Sequence, residues 1–297
     1  MLRHLSNSSA PLSAVPLAPD RTRRDLMLAF AQSNVSVCND AYSDRLRCDH
    51  PRVSDGQSLG EALVEKADAL DRGRVMVMAS EQLAEGLRAG GLHLEARIPG
   101  FYRGEEDCVV MGTAIASDRA ELGQPVAVRH VKTLLGQPHM ASKRTLPSTV
   151  RAALEDAGDI AELLGATFDA YPTPSHEADY VAEQIHDGIP FRMVRQHGEL
   201  LACASADLVR TARTAELTDC ATRPAARGRG LMQAILMDLM DDLREMDYPT
   251  AFTLARASVP GVNLAFERLG FGLRGTMTQS CRIGTGLEDM NVWSRIL

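Results

Sequence analysis

Aromatic residues are scarce in this 297-residue chain, at 4% with a single tryptophan, and no basic stripe is interleaved with them. With a formal net charge of −7, that scarcity argues against binding nucleic acid by bulk attraction. The six cysteines (38, 48, 108, 203, 220, 281) are dispersed, with no C-x-x-C pair. This excludes the usual zinc and dithiol spacings, suits a reducing compartment, and leaves them as small buried hydrophobes. No metal site is expected. Long apolar runs are missing too: Arg74-Val-Met-Val-Met-Ala79 is strand-sized, far below the roughly 18 residues that a membrane span needs. The chain also lacks the Gly-Lys-Ser/Thr end of a nucleotide P-loop and the three-glycine dinucleotide fingerprint.

What is present is 45% apolar residues over a length that allows about two domains. Residues 1–24 hold scattered Pro and Ser without an apolar centre and read as a flexible tail rather than a signal peptide, so the mature chain is expected to be cytoplasmic. Residues 149–297 contain the elements of one α/β domain. Helices are expected over 156–170 and 175–188, and a hairpin over 191–209 turns at His197-Gly198. Strands follow at 215–222 and 251–256, a helix at 262–269, and two last strands at 272–283 and 290–296. Residues 25–118 repeat the tail of that pattern, with strands at 74–79, 92–98 and 107–115 and a helix over 81–89. Gly104-Glu-Glu-Asp-Cys-Val-Val-Met111 also aligns with Gly286-Leu-Glu-Asp-Met-Asn-Val-Trp293, which suggests a duplicated fold, with ordinary α/β patterning as the competing reading. Residues 119–148, without clear periodicity, read as a linker.

The richest stretch is ELTDCATRPAARGRGLMQAILMDLMDDL, residues 216–243: a strand, a turn at Arg227-Gly228-Arg229-Gly230, and a helix whose apolar stripe runs through Leu231, Met232, Ile235, Leu236, Leu239, Met240 and Leu243. The N–H groups of such a turn and of the first helical turn have no intrahelical partner, and the helix dipole adds positive charge, so main chain can hold a pyrophosphate. A plain surface turn is the competing reading. Arg227-x-x-Gly230 after a strand resembles motif A of the GNAT acetyltransferases, Gln/Arg-x-x-Gly-x-Gly/Ala, with Met232 standing where that family has Gly or Ala.

Tyr171-Pro-Thr-Pro174, Glu216 to Thr222, Leu254-Ala-Arg-Ala-Ser258, Asn263 and Glu288-Asp-Met-Asn-Val-Trp293 together resemble the β-lysine N-acetyltransferase family, as does Glu95-Ala-Arg-Ile-Pro-Gly-Phe-Tyr-Arg-Gly104 in the first half. The resemblance implies an α/β GNAT acyl-CoA N-acyltransferase fold, a mixed central sheet flanked by helices, over 149–297. Residues 25–118 would then form a degenerate GNAT-like domain without the phosphate-binding turn. It implies acetyl-CoA as co-substrate and transfer to the ε-amine of β-lysine, giving the compatible solute Nε-acetyl-β-lysine used in osmoadaptation. Lysine 2,3-aminomutase would be the functional partner supplying the amine. A homodimer is left open. Cys220, Thr222, Arg227, Gly228, Arg229, Gly230, Leu231, Met232 and Asn263 would meet the cofactor, Asn263 through its pantetheine arm.

Transfer to an amine needs a base, because a lysine-type amine is protonated at neutral pH. Glu216 is the favoured base and Asp219 an acceptor ligand, although their opposite parity sends them to opposite faces of a regular strand unless a bulge intervenes. β-Lysine carries two amines and a carboxylate, so Arg256, Glu288 and Asp289 are candidate ligands, with Tyr171 along the wall. For each carboxylate a solvated or capping role is the competing reading. Phe266 stands where many GNATs have a general-acid tyrosine, so water or another hydroxyl would protonate the leaving thiolate, or it leaves unaided. Two other functions stay in view: a GNAT acting on another diamine, polyamine or amino acid, and a non-catalytic acetyl-CoA-binding regulatory module.

Overall fold

The structure is a computed structural model that describes residues 23–30, 33–137, 146–168 and 171–297. Most of the expected tail and the middle of the expected linker lie outside the described residues. Thirteen strands form one sheet in the order β1-β2-β3-β4-β6-β5-β12-β13-β11-β10-β9-β8-β7. The first half supplies β1 (Arg23–Phe30), β2 (Ser33–Asp40), β3 (Arg45–Asp49), helix α1 (Gly56–Ala69), β4 (Arg74–Ser80), α2 (Ala84–Ala89), β5 (His93–Tyr102) and β6 (Glu106–Ala114). Helix α3 (Pro125–Leu134) follows. The second half supplies β7 (Val150–Arg151), α4 (Ala157–Thr167), α5 (Ala178–His186), β8 (Phe191–Gln196), β9 (Glu199–Val209) and β10 (Thr214–Thr222). It ends with α6 (Leu231–Glu245), β11 (Thr250–Arg256), α7 (Pro260–Arg268), β12 (Gly272–Ile283) and β13 (Gly286–Ile296).

Each half is built the same way. In the second, β10 pairs antiparallel with β9 and parallel with β11, α6 makes the crossover, and β11 pairs with β13 and β13 with β12. In the first, β3 pairs antiparallel with β2 and parallel with β4, α1 makes the crossover, and β4 pairs with β6 and β6 with β5. The aligned segments 104–111 and 286–293 fall on the equivalent strands β6 and β13. The halves do not form separate sheets, however: they join edge to edge where Gly275 of β12 meets Ala96 of β5. A Cβ on Gly275 would lie 1.9 Å from the Glu95 carbonyl oxygen, so only glycine permits that approach. Further ties cross the junction, including Thr250 Oγ1 to the Gly100 carbonyl at 2.7 Å and Arg74 Nη1 to Thr278 Oγ1 at 3.0 Å.

Alternation along the strands sorts the side chains into layers. Val75, Val77 and Ala79 of β4 pack under α1 and α2 with Leu59, Leu63 and Leu87. Ala215 and Leu217 of β10 pack under α6 with Ile235, Leu236 and Leu239. On the opposite face no helix among the described residues separates the halves. There Met76, Met78, Ile98 and Phe101 meet Phe252, Met277, Met290 and Val292 in one shared core. Helices α4 and α5 cover the rest of that face through Leu163, Leu164 and Val181 against Met193 and Cys203.

Two expectations change. The stretch 119–148 is not a plain linker: it carries α3, begun by Pro125 at its first turn, with Val128 and Val131 fully buried. The second helix starts at Ala178 with Glu177 at its cap, so Ser175 precedes it as a buried residue.

Candidate active site

The parallel pairing of β10 with β11 stops at Glu216–Phe252, although β10 runs on to Thr222 and β11 to Arg256. The two strands therefore part, and main-chain groups of β10 beyond Glu216 have no strand partner on that side. At the same place β10 bulges. Thr218 pairs with Ser205 and Ala221 with Cys203, two intervening residues against one, and Asp219 takes φ +52°. The extra residue resets the alternation. Asp219 accepts a 2.6 Å bond from Ser205 Oγ, whose strand position faces Thr218. Glu216 and Asp219 are thereby brought to one face despite their odd spacing.

Burial raises both carboxyls. Glu216 is pushed up to about 7, first by burial and then by Asp207 and Asp219, while the Arg47 guanidinium and the Leu254 N–H act against the rise. Asp219 is pushed up to about 6, by burial and Asp207 against the Ser205 hydrogen bond. Such a pair can exchange protons near neutral pH. Tyr171, stacked on Phe168 with ring centroids 4.6 Å apart, places its hydroxyl 3.2 Å from Thr218 Oγ1. Burial and the Asp219 charge hold that phenol well above the usual tyrosine range, so it stays protonated. Burial and the same two carboxylates push the Cys220 thiol up to about 12, which keeps it from acting as a thiolate nucleophile.

The Arg-Gly turn sits beyond the end of β10. Gly228 has φ +73° and nothing within 4 Å of where a Cβ would stand, so no side chain covers the turn there. Gly230 has φ +81° and caps α6, whose first intrahelical bond runs from the Ala234 N–H to the Gly230 carbonyl at 3.1 Å. The N–H groups of Leu231 and Met232 precede that bond and face the end of the helix. Met232 packs on the core beneath α6 without disturbing the helix start. Arg229 donates to Gln196 Oε1 at 2.7 Å and Arg227 Nε to the Thr222 carbonyl at 3.4 Å, so both guanidiniums frame the turn. These residues fit a pyrophosphate: a glycine turn with no side chain over its main chain, a helix N-terminus and two arginines beside it.

Other expected ligands prove to be anchors. Asn263 is fully buried, and its amide is fully engaged: it donates to the carbonyls of Arg256 (2.9 Å) and Val259 (2.8 Å) and accepts from Asn291 (2.8 Å) and Trp293 (2.9 Å). It has no bond left for a pantetheine arm and instead ties the end of β11 to the start of α7. Asp289, 1% exposed, accepts from the N–H groups of Gly123, Gln124 and Gln279 and so pins the approach to α3 rather than a substrate. Glu288 accepts from Gln124 and Ser258 and stands 3.7 Å from Arg256. That pair lies at the far end of β11, on the Phe252 face but four positions past it. Phe266 is core, edge-on to Phe271.

Four residues of the cleft escaped the sequence reading. Asp207 pairs directly across from Glu216, and Ser205 beside it holds Asp219. Arg47 and Asp49 come from β3 in the other half and form an ion pair at 2.6 Å. Only the alternation Arg45-Leu46-Arg47-Cys48-Asp49, with Leu46 and Cys48 buried, could have disclosed that strand.

Comparison with known proteins fits this geometry. Residues 158–271 match the model of the acetyltransferase (GNAT) family. A β-lysine N(6)-acetyltransferase of Methanosarcina mazei is 40% identical over 158 residues, which cover 52% of this chain and 58% of that protein, less than two thirds of its length. The N-acetyltransferase YodP of Bacillus subtilis is 28% identical over 205 residues, 68% of this chain and 74% of that one. A β-lysine N(6)-acetyltransferase of Methanococcus maripaludis is 22% identical over 250 residues, 81% of this chain and 90% of its own, so that alignment reaches well into the first half. Residues 158–271, with the parted strands, the bulged β10 and the Arg-Gly turn among them, are the part of the chain that is similar to the GNAT acetyltransferases.

Proposed function

We propose that the chain is an acetyl-CoA-dependent N-acetyltransferase acting on the ε-amine of β-lysine, giving Nε-acetyl-β-lysine. The observation that carries the chemistry is the pair of raised carboxyls, Glu216 and Asp219, on one face of β10 where β10 and β11 part. The acceptor is suggested by the names of two relatives. When bound, acetyl-CoA supplies an activated acyl group. Gly228, Gly230 and the first amides of α6 hold its pyrophosphate, with Arg227 and Arg229 beside them. Glu216, poised near neutral pH, takes a proton from the incoming ammonium, directly or through water. Asp219, fixed by Ser205, orients that amine, and Tyr171 closes the wall with a neutral hydroxyl. Positioning and preset dipoles do the remaining work, which needs no covalent enzyme intermediate.

Lysine 2,3-aminomutase would supply the amine in the cytoplasm, and the product would serve as a compatible solute. Residues 25–118 are best understood as a degenerate repeat of the GNAT half, sharing its strand order but not its phosphate turn. Among the described residues no helix is long and apolar enough to cross a membrane. A polyamine acceptor is the second reading, favoured by the acidity of the cleft around Asp207, Glu216 and Asp219. The open turn together with two carboxyls tuned toward neutrality speaks against a purely regulatory module.

Release of CoA measured with β-lysine, lysine, putrescine and spermidine tests this reading. The expected result is a kcat/KM for β-lysine about 10-fold or more above the others. Turnover with spermidine but not β-lysine would reject the acceptor, and tight acetyl-CoA binding with no turnover of any amine would favour the regulatory module.

A further inference from the structure

The first half does more than extend the sheet. On β3, Leu46 and Cys48 are buried beneath α1, which sends Arg45, Arg47 and Asp49 to the face shared with the second half. Arg47 lies in register with Met76, a member of the core joining the halves, just as Glu216 lies in register with Phe252 of the same core. At the end of β3 the ring of His50 lies 5.1 Å from that of Phe101, which in turn lies 5.5 Å from Phe252, the register partner of Glu216, so the end of β3 reaches the Glu216 side of the shared core. Consistent with this, Arg47 is the cation that acts most strongly on the Glu216 carboxyl.

The two arginines on that face of β3 are used differently. Arg45, 3% exposed, is committed to Asp40 at 3.0 Å and to Ser280. Arg47 and Asp49 remain 28% and 34% exposed, and Asp49 is the single ion-pair partner of Arg47 among the described residues. Their contact runs through Nε, leaving the terminal nitrogens of the guanidinium fork for a second carboxylate. Arg47 is half-buried and its Nε is shut from solvent, and once that desolvation is counted such a pair adds little net stability, so folding alone gives weak reason to place one at the edge of a reactive cleft.

We propose that Arg47 and Asp49, contributed by the first half, recognise the charged head of the acceptor: Arg47 its carboxylate and Asp49 the ammonium beside it, so that the remote amine is delivered to Glu216. This rests on the amine-acceptor reading above and assigns the selectivity of that site. It also gives the first half a function, and it places the carboxylate on Arg47 rather than on Arg256, which lies four positions past Phe252 at the far end of β11.

The test uses the full chain and three acceptors: β-lysine, β-lysinamide (carboxylate neutralised) and 6-aminohexanoate (β-amine absent). Wild type is expected to prefer β-lysine over β-lysinamide by about 30-fold, the scale of a hydrogen-bonded charge pair. Assayed well above the pH at which Glu216 ionises, Arg47→Gln is expected to abolish that preference by raising KM for β-lysine, with kcat and KM for acetyl-CoA nearly unchanged there, and Arg47→Lys to restore part of it. Asp49→Asn should weaken β-lysine and β-lysinamide but not 6-aminohexanoate. If Arg47→Gln lowers kcat/KM for all three acceptors by one factor, or only moves the pH profile, the residue acts through Glu216 or through folding, and the proposal is overturned. Equal use of β-lysine and β-lysinamide by wild type also overturns it while leaving the acetyltransferase reading intact. Turnover of spermidine with none of the three rejects the acceptor reading and this assignment together.

Discussion

Glu216→Gln is expected to lower kcat/KM by about 10²- to 10⁴-fold at neutral pH, the usual contribution of a positioned base, while leaving KM for acetyl-CoA nearly unchanged. The pH profile carries the sharper information. A carboxyl raised to about 7 is protonated, and useless as a base, below that pH, so wild-type kcat/KM should climb through about pH 7. In Glu216→Gln that limb should vanish, and the two enzymes should converge as pH falls. Stability should move the other way. A carboxyl raised on folding adds stability below its unfolded value near 4.5 and loses it as pH rises through about 7. Ionised Glu216 is therefore a burden on the folded state at pH 8, and the glutamine variant should be more stable there by about 1–3 kcal/mol and no more stable than wild type at pH 4. Loss of activity with a gain in stability is the signature of a group kept for chemistry. A wild-type pH limb that survives in Glu216→Gln would move the base to Asp219.

Gly230→Val should raise KM for acetyl-CoA about 10-fold or more while changing kcat little. At φ +81° a β-branched residue is strained by about 1–3 kcal/mol. Its Cβ would also meet Leu146 Cδ2 at 3.2 Å, so that side chain must give way as well. Because the amides of the turn are aimed by that conformation, the cofactor site should suffer before the acceptor site. Gly261→Ala provides the contrast: it has ordinary φ and nothing within 4 Å, and both constants should stay at wild-type values. Unchanged acetyl-CoA affinity in Gly230→Val would mean that the turn is not where the phosphates bind.

Much of the second half was legible because its signals are local. The hairpin turns at His197-Gly198 with both residues at positive φ, and the α6 stripe lies on the helix it predicts. The bulge was not legible. Thr218-Asp219-Cys220 contains no glycine or proline, and a register shift arises from pairing with β9 rather than from the bulged residues alone. Yet it decides whether Glu216 and Asp219 can cooperate. Asn263 and Asp289 failed for a different reason: a polar side chain that anchors backbone and one that binds a ligand are the same residue types, and only burial with filled hydrogen bonds separates them. Arg47 and Asp49 were invisible because their role depends on the pairing of two halves more than 160 residues apart in sequence, Arg47 against Glu216. Helix α3 was hidden by valines, poor helix formers, spaced by three at 128 and 131.

On this mechanism the acetyl group goes to the amine farthest from the charged head of the acceptor, delivered to Glu216. The most direct measurement is the position of the acetyl group in the product formed from acetyl-CoA and β-lysine, read by NMR. The prediction is acetylation of the ε-nitrogen alone, with the β-amine left free. Acetyl on the β-nitrogen, or no acetylated β-lysine from an enzyme active on other amines, would contradict it.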